Sequence, residues 1–187
     1  MEGRRFDGII GTVLLYHFLS TLDYPKGELV LRRRTPQGLA DLDEQTAARR
    51  TYVVPFWMAG KHWMVTWGKV NGRAECLMHV DTGMAGGGFG CSEATLKEVG
   101  IDLAGLPSFN AIGGGGTVKV TPFTVDELAL GKARQFSVPA LYGGKTREIE
   151  YAMGFRIGAT ISHGFFRAYA LTFDFERMNL HLTPGRG

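Results

Sequence analysis

The apolar positions divide the chain into three zones. Residues 4–33 are largely apolar and end in Arg32-Arg33-Arg34. Residues 34–50 are polar and charged, with Pro36-Gln37-Gly38 as a breaker, and read as a linker carrying a short helix from Leu39 to Arg49. Residues 51–182 form the main body and read mostly as strands. Tyr52–Trp57 is one, and its proline suits a sheet edge. His62–Val70 and Arg73–Asp81 flank Asn71-Gly72, two residues that tolerate the positive φ a tight hairpin needs. Ser92 as N-cap and Gly100 past the end bracket a short helix over 93–99. Thr117–Val125, Glu127–Leu130 and Gln135–Leu141 are further short strands. Ile161–Arg167 reads as a short helix, and Ala170–Phe175 with Met178–Leu182 as a closing hairpin. Many short strands with only small helices predict a mostly-β domain.

The end of the body echoes the beginning of the chain at an offset of 151. Gly8-Ile9-Ile10-Gly11 falls on Ala159-Thr160-Ile161-Ser162, and Thr21-Leu22-Asp23-Tyr24 on Thr172-Phe173-Asp174-Phe175. Leu29 and Leu31 fall on Leu180 and Leu182. Each copy reads as a short apolar strand, an apolar helix and a hairpin turning near an aspartate. Two readings account for this. One is a pair of unrelated strand–helix–hairpin segments; the other is an ancient duplication. On the second, residues 1–33 are the tail of a preceding repeat, 34–50 a linker and 51–187 a whole second repeat.

Composition removes several function classes. The 187 residues are 44% apolar and 21% charged, as in ordinary globular domains, and the length fits one domain. Two cysteines are too few for a disulfide scaffold, and Cys76 and Cys91 read as small apolar residues rather than a redox pair. No apolar run approaches a membrane span, and the opening residues lack a signal peptide's apolar region, so the chain reads as soluble with its compartment unstated. A formal charge of +3 with scattered Lys and Arg points to no nucleic-acid partner. The unusual number is 27 glycines, about twice the usual share. They cluster at 83–90 and 113–116, where they signal tight backbone geometry.

Candidate chemistry centres on His79-Val80-Asp81-Thr82-Gly83. Cys76 to Val80 is a largely apolar strand, so Asp81 is delivered at the end of a buried element, and Gly83 permits the sharp turn after it. Rival readings are weaker. Gly86-Gly87-Gly88-Phe89-Gly90 contains no G-x-G-x-x-G, and Gly144-Lys145-Thr146 is half a phosphate loop with Pro139 at the first glycine position. His79 and Asp81 share a strand face, with His163 and His181 as possible further ligands, but no tight His/Cys cluster with zinc spacing exists. Trp57, Trp63 and Trp67 crowd one region and suit packing as well as a substrate subsite.

These motifs resemble the retropepsin/pepsin superfamily of aspartic proteases, in particular the bacterial retropepsin-like proteins. The resemblance covers roughly 52–182, with an extra piece at 6–33. It rests on the Asn71-Gly72 hairpin feeding Val80-Asp81-Thr82-Gly83, the helix from Ser92 to Gly100, and Ile112-Gly113-Gly114-Gly115-Gly116-Thr117 where the family has its flap. The closing strand–helix–hairpin at 158–182 completes it. The family's apolar pair followed by glycine stands at Ile9-Ile10-Gly11, whereas Ser162 departs from it in the body. Met84 departs where the family has Ala or Ser.

The resemblance implies a mostly-β, retropepsin-like closed barrel with one to three short helices. It implies an aspartic endopeptidase in which Asp81 is catalytic, Thr82 and Gly83 shape its loop, and Gly113, Gly114, Gly115 and Gly116 form a flap over an extended peptide. No metal or cofactor is expected. Two carboxylates sharing one proton would activate water. The chain has a single Asp-Thr-Gly and no Asp-Ser-Gly, and Asp23 and Asp174 read as hairpin-turn residues, so the second carboxylate must come from a homodimer or a first lobe. The alternative is an inactive peptide-binding or dimerisation module on the same fold.

Overall fold

A computed structural model describes residues 8–60, 62–84, 86–113, 116–143, 150–151 and 153–185. The elements described end to end run α1 (Thr12–Leu15), β1 (Phe18–Asp23), β2 (Glu28–Arg33), α2 (Pro36–Ala48), β3 (Tyr52–Pro55), β4 (Trp57–Ala59), β5 (Trp63–Val70), β6 (Ala74–Val80), β7 (Phe89–Cys91), α3 (Glu93–Val99), β8 (Phe109–Gly113), β9 (Gly116–Leu130), β10 (Ala133–Tyr142), β11 (Ala159–Ile161), α4 (His163–Phe166), β12 (Tyr169–Asp174) and β13 (Asn179–Pro184).

Local signals set the body's hairpins and caps. Asn71 and Gly72 take φ of 51° and 65°, and Arg73 N–H donates to Val70 O at 3.0 Å, closing the two-residue turn between β5 and β6. Ser92 accepts from Thr95 N–H at the start of α3, and Gly100 ends it at φ 72°. The strands then join in the order β4-β5-β6-β11-β7-β10-β9-β8. A further pairing of β9 with β5, Lys69 opposite Ala129 and Val70 opposite Leu128, returns the sheet to its own second strand. Six strands thus close around a core that includes Met78, Leu128, Ile161 and Phe165. The fold is mostly β, as the sequence predicts.

Two sequence expectations differ in detail. Residues 117–130 form one long strand, not two, because β9 is held successively by β8, β10 and β5. The helix in 34–50 begins at Pro36, not Leu39. Thr35 caps it by accepting from Gly38 N–H at 3.1 Å, and proline at the first helical position gives up an N–H that has no partner there anyway. α2 packs through buried Leu42, with Thr46 Oγ1 3.0 Å from His181 Nδ1.

The second sheet has the order β2-β1-β12-β13-β3. Its two hairpins obey the 151-residue offset element for element: Phe18–Asp23 matches Tyr169–Asp174, Glu28–Arg33 matches Asn179–Pro184, and Thr12–Leu15 matches His163–Phe166. They pair antiparallel through β1 and β12 with Thr21 opposite Thr172, Ser20 opposite Phe173 and Leu22 opposite Leu171. Each pair maps onto another under the offset, so a local two-fold axis passes between Thr21 and Thr172, whose hydroxyls meet at 2.7 Å. The chain passes between the sheets at Phe56, fully buried, whose N–H donates to Met178 O.

Candidate active site

Asp81 sits where two distant segments meet. β6 runs parallel to β11, pairing Val80 with Ile161, and Asp81 N–H donates to Ile161 O at 3.0 Å. The carbonyl of a residue 80 positions later thus holds the aspartate's backbone. The half-buried carboxylate curls over its own turn, with Oδ1 accepting from Gly83 N–H at 2.9 Å. Thr82 is half-buried and Gly83 exposed, which leaves the loop open on one side.

Behind the carboxylate the loop is clamped to α4. A side chain on Gly88 would bring its Cβ to 2.9 Å from the Gly164 carbonyl carbon and the Phe165 nitrogen. One on Gly164 would meet Gly88 Cα at 2.6 Å. The backbones touch because neither residue has a side chain. Ser162, fully buried, donates from its N–H to Gly88 O at 2.9 Å and from Oγ to Met84 O at 3.2 Å. The residue that departs from the family's glycine therefore ties the Asp81 loop to β11. Met84 Sδ lies near Gly90, where an added Cβ would stand 3.7 Å from it.

The surroundings of Asp81 are aromatic and titratable. His79 is buried, Trp63 lies against its ring at 4.7 Å, and its Nδ1 has no partner among the described residues. Burial lowers the His79 pKa; the Asp81 charge opposes that, and His62 adds to it. Tyr24, at the end of β1, has its phenol pushed up to about 12 by burial and then by the charge on Asp81. The charge on Asp81 is thus felt at the N-terminal hairpin. Neither Tyr24 nor Ser162 was legible as part of the site, because both reach it through tertiary pairing.

The other candidates fall as follows. β8 and β9 form a hairpin in which Ile112 opposes Thr117 and Gly113 opposes Gly116; Gly114 and Gly115 lie outside the described residues. Asp23 accepts from Lys26 N–H and Asp174 from Glu176 and Arg177 N–H, so both are turn carboxylates. Cys76 and Cys91 are free thiols, each pushed up to about 12 chiefly by burial. Among the described residues no three His, Cys, Asp or Glu gather as a metal site. His163 and His181 lie on α4 and β13, and Gly144-Lys145-Thr146 lies outside the described residues. Trp57 and Trp67 are about half exposed. A cleft of about 880 Å³ lined by Asp23, Lys26, Arg49, Arg50 and Tyr52 does not include Asp81.

The ring of strands and the parallel β6–β11 junction carry the Asp-Thr-Gly at their centre, and the comparisons with known proteins bear on this part of the chain. Residues 67–156, from the middle of β5 through Asp81 to just short of β11, match the family model described as "Aspartyl protease". A retropepsin-like aspartic protease from Rickettsia conorii superposes with a TM-score of 0.49 at 16% identity, over 72% of this chain and 89% of that one. No curated protein matches the chain significantly. Among the described residues no helix is long and apolar enough to cross a membrane.

Proposed function

We propose that the chain contributes one half of a paired-aspartate endopeptidase site, with Asp81 giving one carboxylate and a second lobe or subunit the other. The observation that carries this reading is the position of Asp81, whose backbone N–H is held by Ile161 O at the end of the β6–β11 junction and whose carboxylate takes the Gly83 N–H of its own Asp-Thr-Gly turn. Two carboxylates facing each other across such an axis cannot both ionise readily, so they share a proton. The ionised member takes a proton from water as the water attacks the peptide carbonyl. The protonated member polarises that carbonyl and then protonates the leaving nitrogen. Thr82 and Gly83 shape the loop, and the β8–β9 hairpin with Gly113–Gly116 covers an extended peptide bound as an added strand.

Asp81→Asn tests the role. The amide oxygen can still accept from Gly83 N–H, so the unfolding midpoint should hold while cleavage of an unstructured protein substrate at pH 3–6 is lost. Undiminished cleavage by that variant rejects the assignment. The single Asp-Thr-Gly favours a second reading, an inactive peptide-binding module, which predicts substrate binding without cleavage in every assembly state.

A further inference from the structure

The local two-fold axis relates the two hairpins but not what rests on them. α2 lies across the five-stranded sheet. Its Gly38 approaches Arg33 O and Leu19 Cδ1, where an added Cβ would stand 2.9 and 3.5 Å away, and Gln45 Oε1 accepts from Arg32 Nη1 at 3.4 Å. On the other flank Asp43 Oδ1 accepts from Arg177 Nη1 at 2.6 Å, and Asp174 holds the same guanidinium from below. α2 therefore bridges the body of the first hairpin and the turn of the second.

The 151-residue offset carries this seat onto the other side of the axis. Leu19, Arg32 and Arg33 become Ala170, Thr183 and Pro184, while Asp174 and Arg177 become Asp23 and Lys26. All five counterparts line the open cleft of about 880 Å³. The cleft is the two-fold counterpart of the α2 seat. Lys26 stands 3.2 Å from Asp23, repeating the pairing of Arg177 with Asp174, but among the described residues no carboxylate takes the place of Asp43. Glu28, 4.0 Å from Lys26 and 56% exposed, is a weak surface partner.

Charge and shape say what the cleft takes. Arg49 and Arg50 also line it and have no acidic partner among the described residues; Arg50 lies over the Tyr52 ring at 5.8 Å. Three cations thus face one carboxylate, and that carboxylate is already bonded to Lys26. Ala168 and Ala170 stand where the occupied side has His17 and Leu19, so the floor is recessed. A space of about 880 Å³ holds about seven residues, or two turns, of a helix about 10 Å across.

We propose that this cleft seats an acidic amphipathic helix of a partner protein, lying against β12 and β13 as α2 lies against β1 and β2. Its apolar face enters the recess over Ala168 and Ala170, and its carboxylates meet Lys26, Arg49 and Arg50. The chain's own α2 is engaged on the first seat through Leu42 and Asp43, and a second copy brings its α2 engaged in the same way. The proposal does not rest on the paired-aspartate reading.

The test uses the whole chain and, as probe, a capped peptide of residues 35–48, the helix of the occupied seat with its Thr35 cap. Fluorescence anisotropy should show saturable binding by about 1 mM, the weak end of specific affinities, and the peptide should gain helical circular dichroism when bound. Arg49→Glu with Arg50→Glu should weaken binding about tenfold or more at an unchanged unfolding midpoint, since both side chains are exposed. Lys26→Gln, which leaves that loop untouched, should weaken it about threefold. A peptide carrying Asp41→Lys and Asp43→Lys should reverse the preference and bind the charge-reversed chain better than the wild type. Absence of saturable binding overturns the proposal. So does equal binding by the charge-reversed chain, which means that the peptide has displaced α2, or by a scrambled peptide of the same composition, which means that charge alone attracts it. A wild-type dimer that Arg49→Glu with Arg50→Glu dissociates also overturns it, because a second copy then covers the cleft.

Discussion

Replacing Gly164 with alanine tests whether the Asp81 loop is held by direct backbone contact. The new Cβ would lie 2.6 Å from Gly88 Cα, 2.7 Å from Gly88 N and 3.2 Å from the Gly87 carbonyl carbon. All three are backbone atoms, so no side chain can swing aside. Forcing one extra carbon into a packed interior costs about 1–3 kcal/mol. Alanine also favours helix over glycine by about 1 kcal/mol, but α4 is a single turn and recovers only part of that. The clash therefore wins, with a net loss of about 1–2 kcal/mol, or roughly 2–8 °C in Tm for a chain of this size. Chemical denaturation followed by tryptophan fluorescence measures it. Gly88→Ala attacks the same contact from the other side and adds a 2.7 Å approach to Val138 Cγ1. The double variant should lose less than the sum, because the first side chain has already separated the backbones. Gly11→Ala, with nothing within 4 Å of the added carbon, is the control and should cost little. An unchanged midpoint for Gly164→Ala, or additive losses in the double variant, would refute the clamp.

Two further outcomes follow from the same geometry. Ser162→Ala removes the hydroxyl bonded to Met84 O and should destabilise by about 0.5–1.5 kcal/mol, with faster hydrogen exchange confined to 81–90; unaltered exchange there would remove Ser162 from the loop's supports. His79 and His181 are both lowered from the ordinary 6.5, in each case first by burial. The unfolded chain therefore binds more protons below about pH 6.5, so stability is full above that value and falls as the solution is acidified through it. Urea midpoints between pH 7.5 and 5 should drop, and His181→Gln should flatten part of the slope; a pH-independent midpoint contradicts the burial of both rings.

What could be read from sequence was local. Asn71-Gly72 needs two positive φ values and nothing else, and Ser92 with Gly100 brackets one short helix, so these survived unchanged. The 151-residue echo was legible because both units repeat their apolar spacing: the helix and both hairpin strands coincide residue for residue, whereas residues 8–10 form no strand where Ala159–Ile161 does, having no β6 and β7 to pair with. Pro36 misled because the same residue that breaks a helix interior also opens one, and only the Thr35 cap distinguishes the two. The division of 117–130 failed because pairing with three strands overrides local propensity. The surroundings of Asp81 were hidden for another reason. Ser162, Gly164 and Tyr24 are 81, 83 and 57 positions away along the chain, and no spacing rule links them to Asp81-Thr82-Gly83.

The bond from Asp81 to Ile161 also has a bearing on timing. A growing polypeptide has to deliver some 80 further residues beyond the aspartate before its anchoring carbonyl exists, and contacts of such long sequence separation form late and slowly. A ribosome-bound or prematurely terminated product ending before β11 would carry the Asp-Thr-Gly tripeptide without the frame that orients it. On the proposed function, the aspartate gains its orienting frame only after β11 has been made.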